Sequence, residues 1–208
     1  MQLIQKYFPD LTPEQYARFE KLGDLYRYWN ERINLVSRKD IENLYERHIL
    51  HSLAIAKYTQ FAQKTTVLDL GTGGGFPGIP LAILFPDVYF HLIDGTLKKI
   101  KVVKDVIQAL GLKNAIAEQI RAEDHDQTYD FVITRAVAQI DKLVEWVNPL
   151  IHFDQRNIMP NGLIALKGGN IQPEVKKLSK KSYHEIVPVG DFFEEAFFKE
   201  KYVVYVQR

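Results

Sequence analysis

Apolar positions recur along the chain with two different periods, and the change between them divides it. Thr12-Pro13-Glu14-Gln15 offers a capping threonine and a proline at the first helical position. Tyr16, Phe19, Leu22, Tyr26, Trp29 and Ile33 then follow at spacings of three and four. This predicts a helix over 13–36 whose single apolar stripe packs on the rest of the molecule. Asn34 to Asp40 reads as a loop, with Ser37 or Asp40 able to cap a second helical pattern from Glu42 to Tyr58. From Thr65 onward, short aliphatic and β-branched runs predict strands at 65–70, 88–93, 114–119, 129–134 and 162–167. Helical runs at 77–85, 97–110 and 139–150 lie between them. Alternation of this length means a parallel sheet with helices on both faces. A lysine-rich helix, Glu174 to Lys181, is predicted next. Two β-patterned runs, Tyr183–Val189 and Tyr202–Val206, then suggest an antiparallel hairpin at the sheet edge. The expected organisation is a helical extension (1–64) packed on an α/β domain (65–208), with no internal repeat.

At 208 residues the chain can bury a sizeable core. It has no cysteine, so disulfides, thiolate metal sites and thiol nucleophiles are excluded. No apolar run approaches the roughly 20 residues of a membrane span, and the N-terminus lacks a signal-peptide pattern. A cytoplasmic enzyme is expected. A net charge of +1 does not announce a nucleic-acid binder, so any RNA contact must come from local clusters.

The densest chemical signal is Thr65-Thr-Val-Leu-Asp-Leu-Gly-Thr-Gly-Gly-Gly-Phe-Pro-Gly78, a strand broken by five glycines within eight residues. Such a turn lets a backbone approach a nucleotide closely. Gly73 to Gly78 satisfies the dinucleotide pattern G-x-G-x-x-G, but two residues pull the other way. Asp69 places an acid at the turn that would repel a pyrophosphate. Pro77 removes a backbone N–H that a pyrophosphate would use. Both suit a cofactor with cationic groups, such as S-adenosylmethionine, better than a dinucleotide.

Ligands of parallel sheets bind beyond the carboxyl ends of the strands. The polar residues expected there are Asp69, Asp94, the Ala122-Glu123 pair and Thr134-Arg135. Asp94 follows Gly71 by 23 residues and can accept ribose hydroxyls, while also serving to cap the next helix. Arg135 is read either as shaping the pocket or as a structural ion pair with Asp69 or Glu123. Lys167, ending the next strand, is a candidate for phosphate or a guanine O6 edge. His48 and His51 share a metal-ligand spacing, but no third ligand stands nearby. No metal is expected, and the two imidazoles read as partly buried groups facing the glycine turn.

With these residues in view, the chain resembles the bacterial rRNA small subunit methyltransferase G family, also called glucose-inhibited division protein B. The likeness rests on Trp29-Asn30-x-x-Ile33-Asn34-Leu35, Arg47-His48-Ile49-Leu50-x-Ser52-Leu53, Asp69-x-Gly71-Thr72-Gly73-x-Gly75-Phe76-Pro77-Gly78-Ile79-Pro80-Leu81, Arg135-Ala136-Val137-Ala138 and Leu166-Lys167-Gly168. The chain departs from the family's usual residues at His51, Gly95 and Lys99, all outside the glycine turn.

The resemblance implies a class I S-adenosylmethionine-dependent methyltransferase. Its fold would be Rossmann-like, with a seven-stranded, mostly parallel sheet and an antiparallel edge strand. The implied reaction is methylation of guanine N7 in the decoding-region loop of 16S rRNA. Carried over by motif, cofactor contacts fall on Gly71, Gly73, Phe76, Asp94, Ala122, Glu123 and Arg135. Arg135 and Lys167 are the candidate catalytic residues. The partner implied is 16S rRNA or the small ribosomal subunit, met by a monomer. Arg38, Lys39, Arg47, Lys98, Lys99, Lys176, Lys177, Lys180 and Lys181 are available to hold it. A class I methyltransferase for another acceptor and a nicotinamide-dependent oxidoreductase remain the competing readings.

Overall fold

A computed structural model describes every residue except Asn34, Lys180 and Lys181, and at Arg38 and Lys39 the backbone alone. Among the described residues the order of elements is α1 (Gln2–Tyr7), α2 (Pro13–Asn30), α3 (Arg38–Ile41), a π-helical turn Tyr45–Leu50 and α4 (His51–Tyr58). There follow β1 (Thr66–Leu70), α5 (Gly78–Leu84), β2 (Tyr89–Ile93), α6 (Leu97–Leu110) and β3 (Ala115–Glu118). The chain ends with β4 (Phe131–Arg135), α7 (Ile140–Val147), β5 (Gly162–Gly168), α8 (Gln172–Val175), β6 (His184–Pro188) and β7 (Lys201–Gln207).

The strands form one sheet in the order β3-β2-β1-β4-β5-β7-β6. Strands β1 to β5 pair in parallel, and β7 runs antiparallel to both β5 and β6. The expected antiparallel pairing therefore lies at this edge, with β7 inserted between β5 and the outermost strand. Chain order reverses between β1 and β4, which makes the ends of those strands the natural place for a ligand.

One face of the sheet shares a continuous core with the N-terminal helices: Phe19, Leu22, Tyr26 and Leu53 pack in the same cluster as Val67, Phe90 and Phe131. The other face is covered by α7, through Ile140, Leu143 and Val147. The stripe predicted on α2 is observed, and its N-terminus carries a reciprocal cap. Thr12 Oγ1 accepts from Gln15 N–H (3.2 Å), and Gln15 Oε1 accepts from Thr12 N–H (2.9 Å).

Several elements differ from expectation, among them the single turn α3, which begins inside the stretch read as a loop. Helix α2 ends at Asn30 rather than at 36, because the Asn30 carboxamide accepts both the Leu35 and Val36 N–H groups at 3.0 Å and folds the chain back. Of the lysine-rich helix expected over Glu174–Lys181, the described residues hold only the single turn α8, and Lys180 and Lys181 lie outside them. Helix α1 has no counterpart in the hydrophobic pattern, since only Ile4 of its six residues is buried.

Candidate functional site

Strand β1 delivers the chain into a turn that is held from behind. The carboxylate of Asp69 is fully buried, and its Oδ2 accepts the Thr72 hydroxyl (2.6 Å) and the Gly78 N–H (2.8 Å). Burial pushes this carboxyl up to about 7, opposed by those two hydrogen bonds. Asp69 thus braces the turn rather than lining its mouth. It also occupies the first N–H of α5, so that helix start is closed to a pyrophosphate. From the other side, the Tyr26 hydroxyl of α2 donates to the Gly74 carbonyl, and its ring lies 4.6 Å from that of Phe76.

Gly71 takes φ +68°, and a Cβ there would meet Val137 Cγ2 at 2.5 Å. Only glycine fits so close to the loop that follows β4.

Beyond the turn opens a cleft of about 560 Å³. Gly71, Gly73, Phe76, Asp94, Ala122, Glu123 and Arg135, all named from the sequence, line it together. Asp94 Oδ2 accepts the Gly73 N–H (3.0 Å), and its Oδ1 accepts the Thr96 N–H (2.8 Å), so one carboxylate ties the glycine turn to the start of α6. Because β1 lies between β2 and β4, Asp94 and Arg135 flank the turn on opposite sides.

Arg135 enters the cleft from the end of β4. Its Nη2 is 3.0 Å from His48 Nδ1, its Nη1 donates to the Arg47 carbonyl (3.4 Å), and its guanidinium lies 5.2 Å from the Phe76 ring centroid. No carboxylate among the described residues forms an ion pair with it, so the alternative pairing with Asp69 or Glu123 is not seen. Burial lowers its pKa to about 10, which leaves it cationic at neutral pH.

Lys167 does not line the cleft. Its ammonium bridges Glu174 Oε2 (2.7 Å) and the Ala138 carbonyl (2.6 Å), and Glu174 Oε2 also accepts the Ile140 N–H (3.0 Å). The side chain fixes the loop after Arg135 from outside. His48 lines the cleft as expected, but His51 turns away to pack against Phe197 and Phe198. No metal-binding group of His, Cys, Asp or Glu occurs among the described residues.

Further wall residues were not assigned to the site from the sequence, among them Leu35 and Val36, brought in by the Asn30 turn, Ile120, Arg121, and Trp146 of α7. Leu35 was legible as a motif residue without a role and Val36 only as part of a loop, and Trp146 only as one position of an amphipathic helix.

A family model described as rRNA small subunit methyltransferase G matches residues 15–189. The chain belongs to that family. A ribosomal RNA small subunit methyltransferase G of Bacteroides thetaiotaomicron is 53% identical over 207 residues, covering 100% of each chain. The one from Flavobacterium psychrophilum is 51% identical over 206 residues, covering 99% of this chain and 97% of its own. Among solved structures, a SAM dependent methyltransferase from Aquifex aeolicus superposes with a TM-score of 0.57 at 18% identity, over 82% of this chain and 98% of that one. A precorrin-6y C5,15-methyltransferase from Geobacter metallireducens gives the same TM-score at 10% identity, over 85% of this chain and 91% of its own. At those identities the likeness is one of fold, and the fold is that of the class I methyltransferases. In this member of the rRNA small subunit methyltransferase G family, the glycine turn, the strand ends and His48 together line the cleft.

Proposed function

We propose that this protein transfers a methyl group from S-adenosylmethionine to N7 of a guanine in the decoding-region loop of 16S rRNA. The observation that carries the reading is the cleft itself, where Asp94 and Arg135 flank a glycine turn whose pyrophosphate-binding N–H is already taken by Asp69. The residues present suit the cofactor. Asp94 keeps lone pairs for ribose hydroxyls after its two backbone hydrogen bonds. The turn at Gly71 and Gly73 admits a methionine moiety, and the buried carboxyl group of Asp69 braces it from behind.

When bound, S-adenosylmethionine supplies an electrophilic methyl group on a sulfonium. Guanine N7 already carries a lone pair, so no proton has to be removed before attack and no general base is required. The chain's task is positioning: reactive atoms must be held about 3 Å apart and in line. Arg135, with N–H donors beyond those given to His48 and Arg47, orients the acceptor at the cofactor end of the cleft. Lys167 acts through the loop it pins rather than by touching the base.

The RNA is held by Arg47 and by Lys98, Lys99, Lys176 and Lys177. The sequence-predicted partners Arg38, Lys39, Lys180 and Lys181 lie outside the residues whose side chains are described. The extension (1–64) and the domain (65–208) act as one unit, as a monomer in the cytoplasm. No helix of the described residues is long and apolar enough to cross a membrane.

The test is methyl transfer from labelled S-adenosylmethionine to small subunits lacking the modification, followed by nucleoside analysis. N7-methylguanosine at one site is the expected result. Cofactor binding without transfer to rRNA would assign another acceptor. A thermal shift with NADH but none with S-adenosylhomocysteine would return the glycine turn to the oxidoreductases.

A further inference from the structure

The N-terminal segment meets Arg135 through the π-helical turn Tyr45–Leu50. There the His51 N–H bonds back to the Glu46 carbonyl, five residues earlier, which widens the turn. Two successive residues of it contact the same guanidinium: the Arg47 carbonyl accepts Arg135 Nη1 at 3.4 Å, and His48 Nδ1 lies 3.0 Å from Arg135 Nη2. An arginine has only donors, so His48 Nδ1 must be the bare, accepting nitrogen and the ring proton must lie on Nε2. The His48 ring also lies tilted by 48° against Phe76 (centroids 5.3 Å apart), whose face carries the same guanidinium at 5.2 Å.

Resting on the methyl-transfer reading above, we infer that His48 is a positioning residue for that reaction: as a neutral Nε2–H imidazole it fixes Arg135 in the orientation the acceptor base requires. The arrangement is specific to His48. His51, one helical turn further, faces Phe197 and Phe198, and the hydrogen bonds of Arg135 go to Arg47 and His48 instead. Burial, with Arg135 as the next contribution, lowers the His48 pKa to about 4, and the other charges facing it are Asp40 and Arg47. The imidazole is therefore neutral throughout the physiological range, as the accepting role demands.

Two substitutions separate this role from simple packing. His48→Asn retains a short side-chain acceptor for Arg135. His48→Phe retains a ring against Phe76 and removes the acceptor. The expected result for His48→Phe is a fall in kcat of about 10- to 100-fold that exceeds any loss of cofactor affinity, since misplacing a group by about 1 Å can cost 100-fold. His48→Asn is expected to recover most of that rate. Equal loss in both variants, or loss confined to cofactor affinity, would overturn the inference.

Nitrogen NMR of the wild-type imidazole is independent of whether either variant folds. A proton on Nε2 and a bare Nδ1 are expected, and the opposite tautomer would refute the proposal. If the wild-type enzyme methylates no rRNA guanine while the tautomer is as stated, the methyl-transfer reading fails rather than the His48–Arg135 geometry.

Discussion

Asp69 shows how one buried carboxylate can serve a turn and burden the fold at once. Both of its hydrogen bonds fall on Oδ2, while Oδ1 is buried without a partner among the described residues. The side-chain carbonyl of an asparagine can replace Oδ2 and keep both bonds, so Asp69→Asn is expected to fold with the glycine turn intact. The folded pKa of Asp69, raised from 3.8 to about 7, means that stability is lost as pH rises through that window, where only the unfolded chain is ionised. His48 and His51, lowered from 6.5 to about 4 and about 3 by burial, act in the opposite sense and remove stability as pH falls below 6.5. Asp69→Asn should therefore gain stability relative to wild type above about pH 7. It should also steepen the acid limb by about one proton between about pH 4 and 7, read from melting temperatures across pH. At Gly71, both the positive φ and the 2.5 Å approach to Val137 oppose a methyl group. Gly71→Ala is expected to cost at least about 1–2 kcal/mol from the left-handed backbone alone and to abolish the cofactor-induced thermal shift.

At the scale of elements, two pieces outside the cleft hold its walls. Helix α2 reaches the glycine turn through the Tyr26 hydroxyl, so Tyr26→Phe should lower stability by about 1 kcal/mol and weaken cofactor binding more than a surface change would. The turn α8 reaches the loop after β4 through Lys167 and Glu174, which are 10% and 23% exposed. Removing one partner of a largely buried pair costs about 3 kcal/mol, because the other charge is stranded. Lys167→Met should accordingly lower the melting temperature and reduce kcat. The double change Lys167→Met with Glu174→Gln should restore part of the stability. Recovery of stability without recovery of rate would show that the loop needs the lysine itself.

How far this was readable from sequence differs between the elements. The glycine turn, Asp94, Ala122-Glu123 and Arg135 were legible because strand ends in a parallel sheet converge on one edge, and period alone locates those ends. Lys167 has the same strand-end address, yet its ammonium is captured by Glu174, a partner that no periodicity announces. The walls supplied by Leu35 and Val36 depend on a side-chain bond from Asn30, a local competition with helix that apolar spacing does not register.

Across the whole molecule, the N-terminal helices are part of the core rather than an appendage, since Phe19, Leu22, Tyr26 and Leu53 share one apolar cluster with the sheet. A chain beginning at Thr65 would expose that face and is expected to be insoluble. Binding to small-subunit RNA, carried by dispersed lysines and arginines around a nearly neutral body, should weaken steeply with salt. An affinity independent of ionic strength would refute the electrostatic account.

The chain has two tryptophans. Trp29 donates its indole N–H to Asp105 Oδ2 (2.8 Å) on the flank of α6, whereas Trp146 stands in the wall of the cleft and is 37% exposed. A molecule entering beside Trp146 changes the polarity around one indole and leaves the other untouched. Substituting Trp29 by Phe would leave Trp146 as the single tryptophan, so with excitation selective for indole the occupancy of the cleft could be read continuously from the protein's own fluorescence, without a label and before any RNA is added.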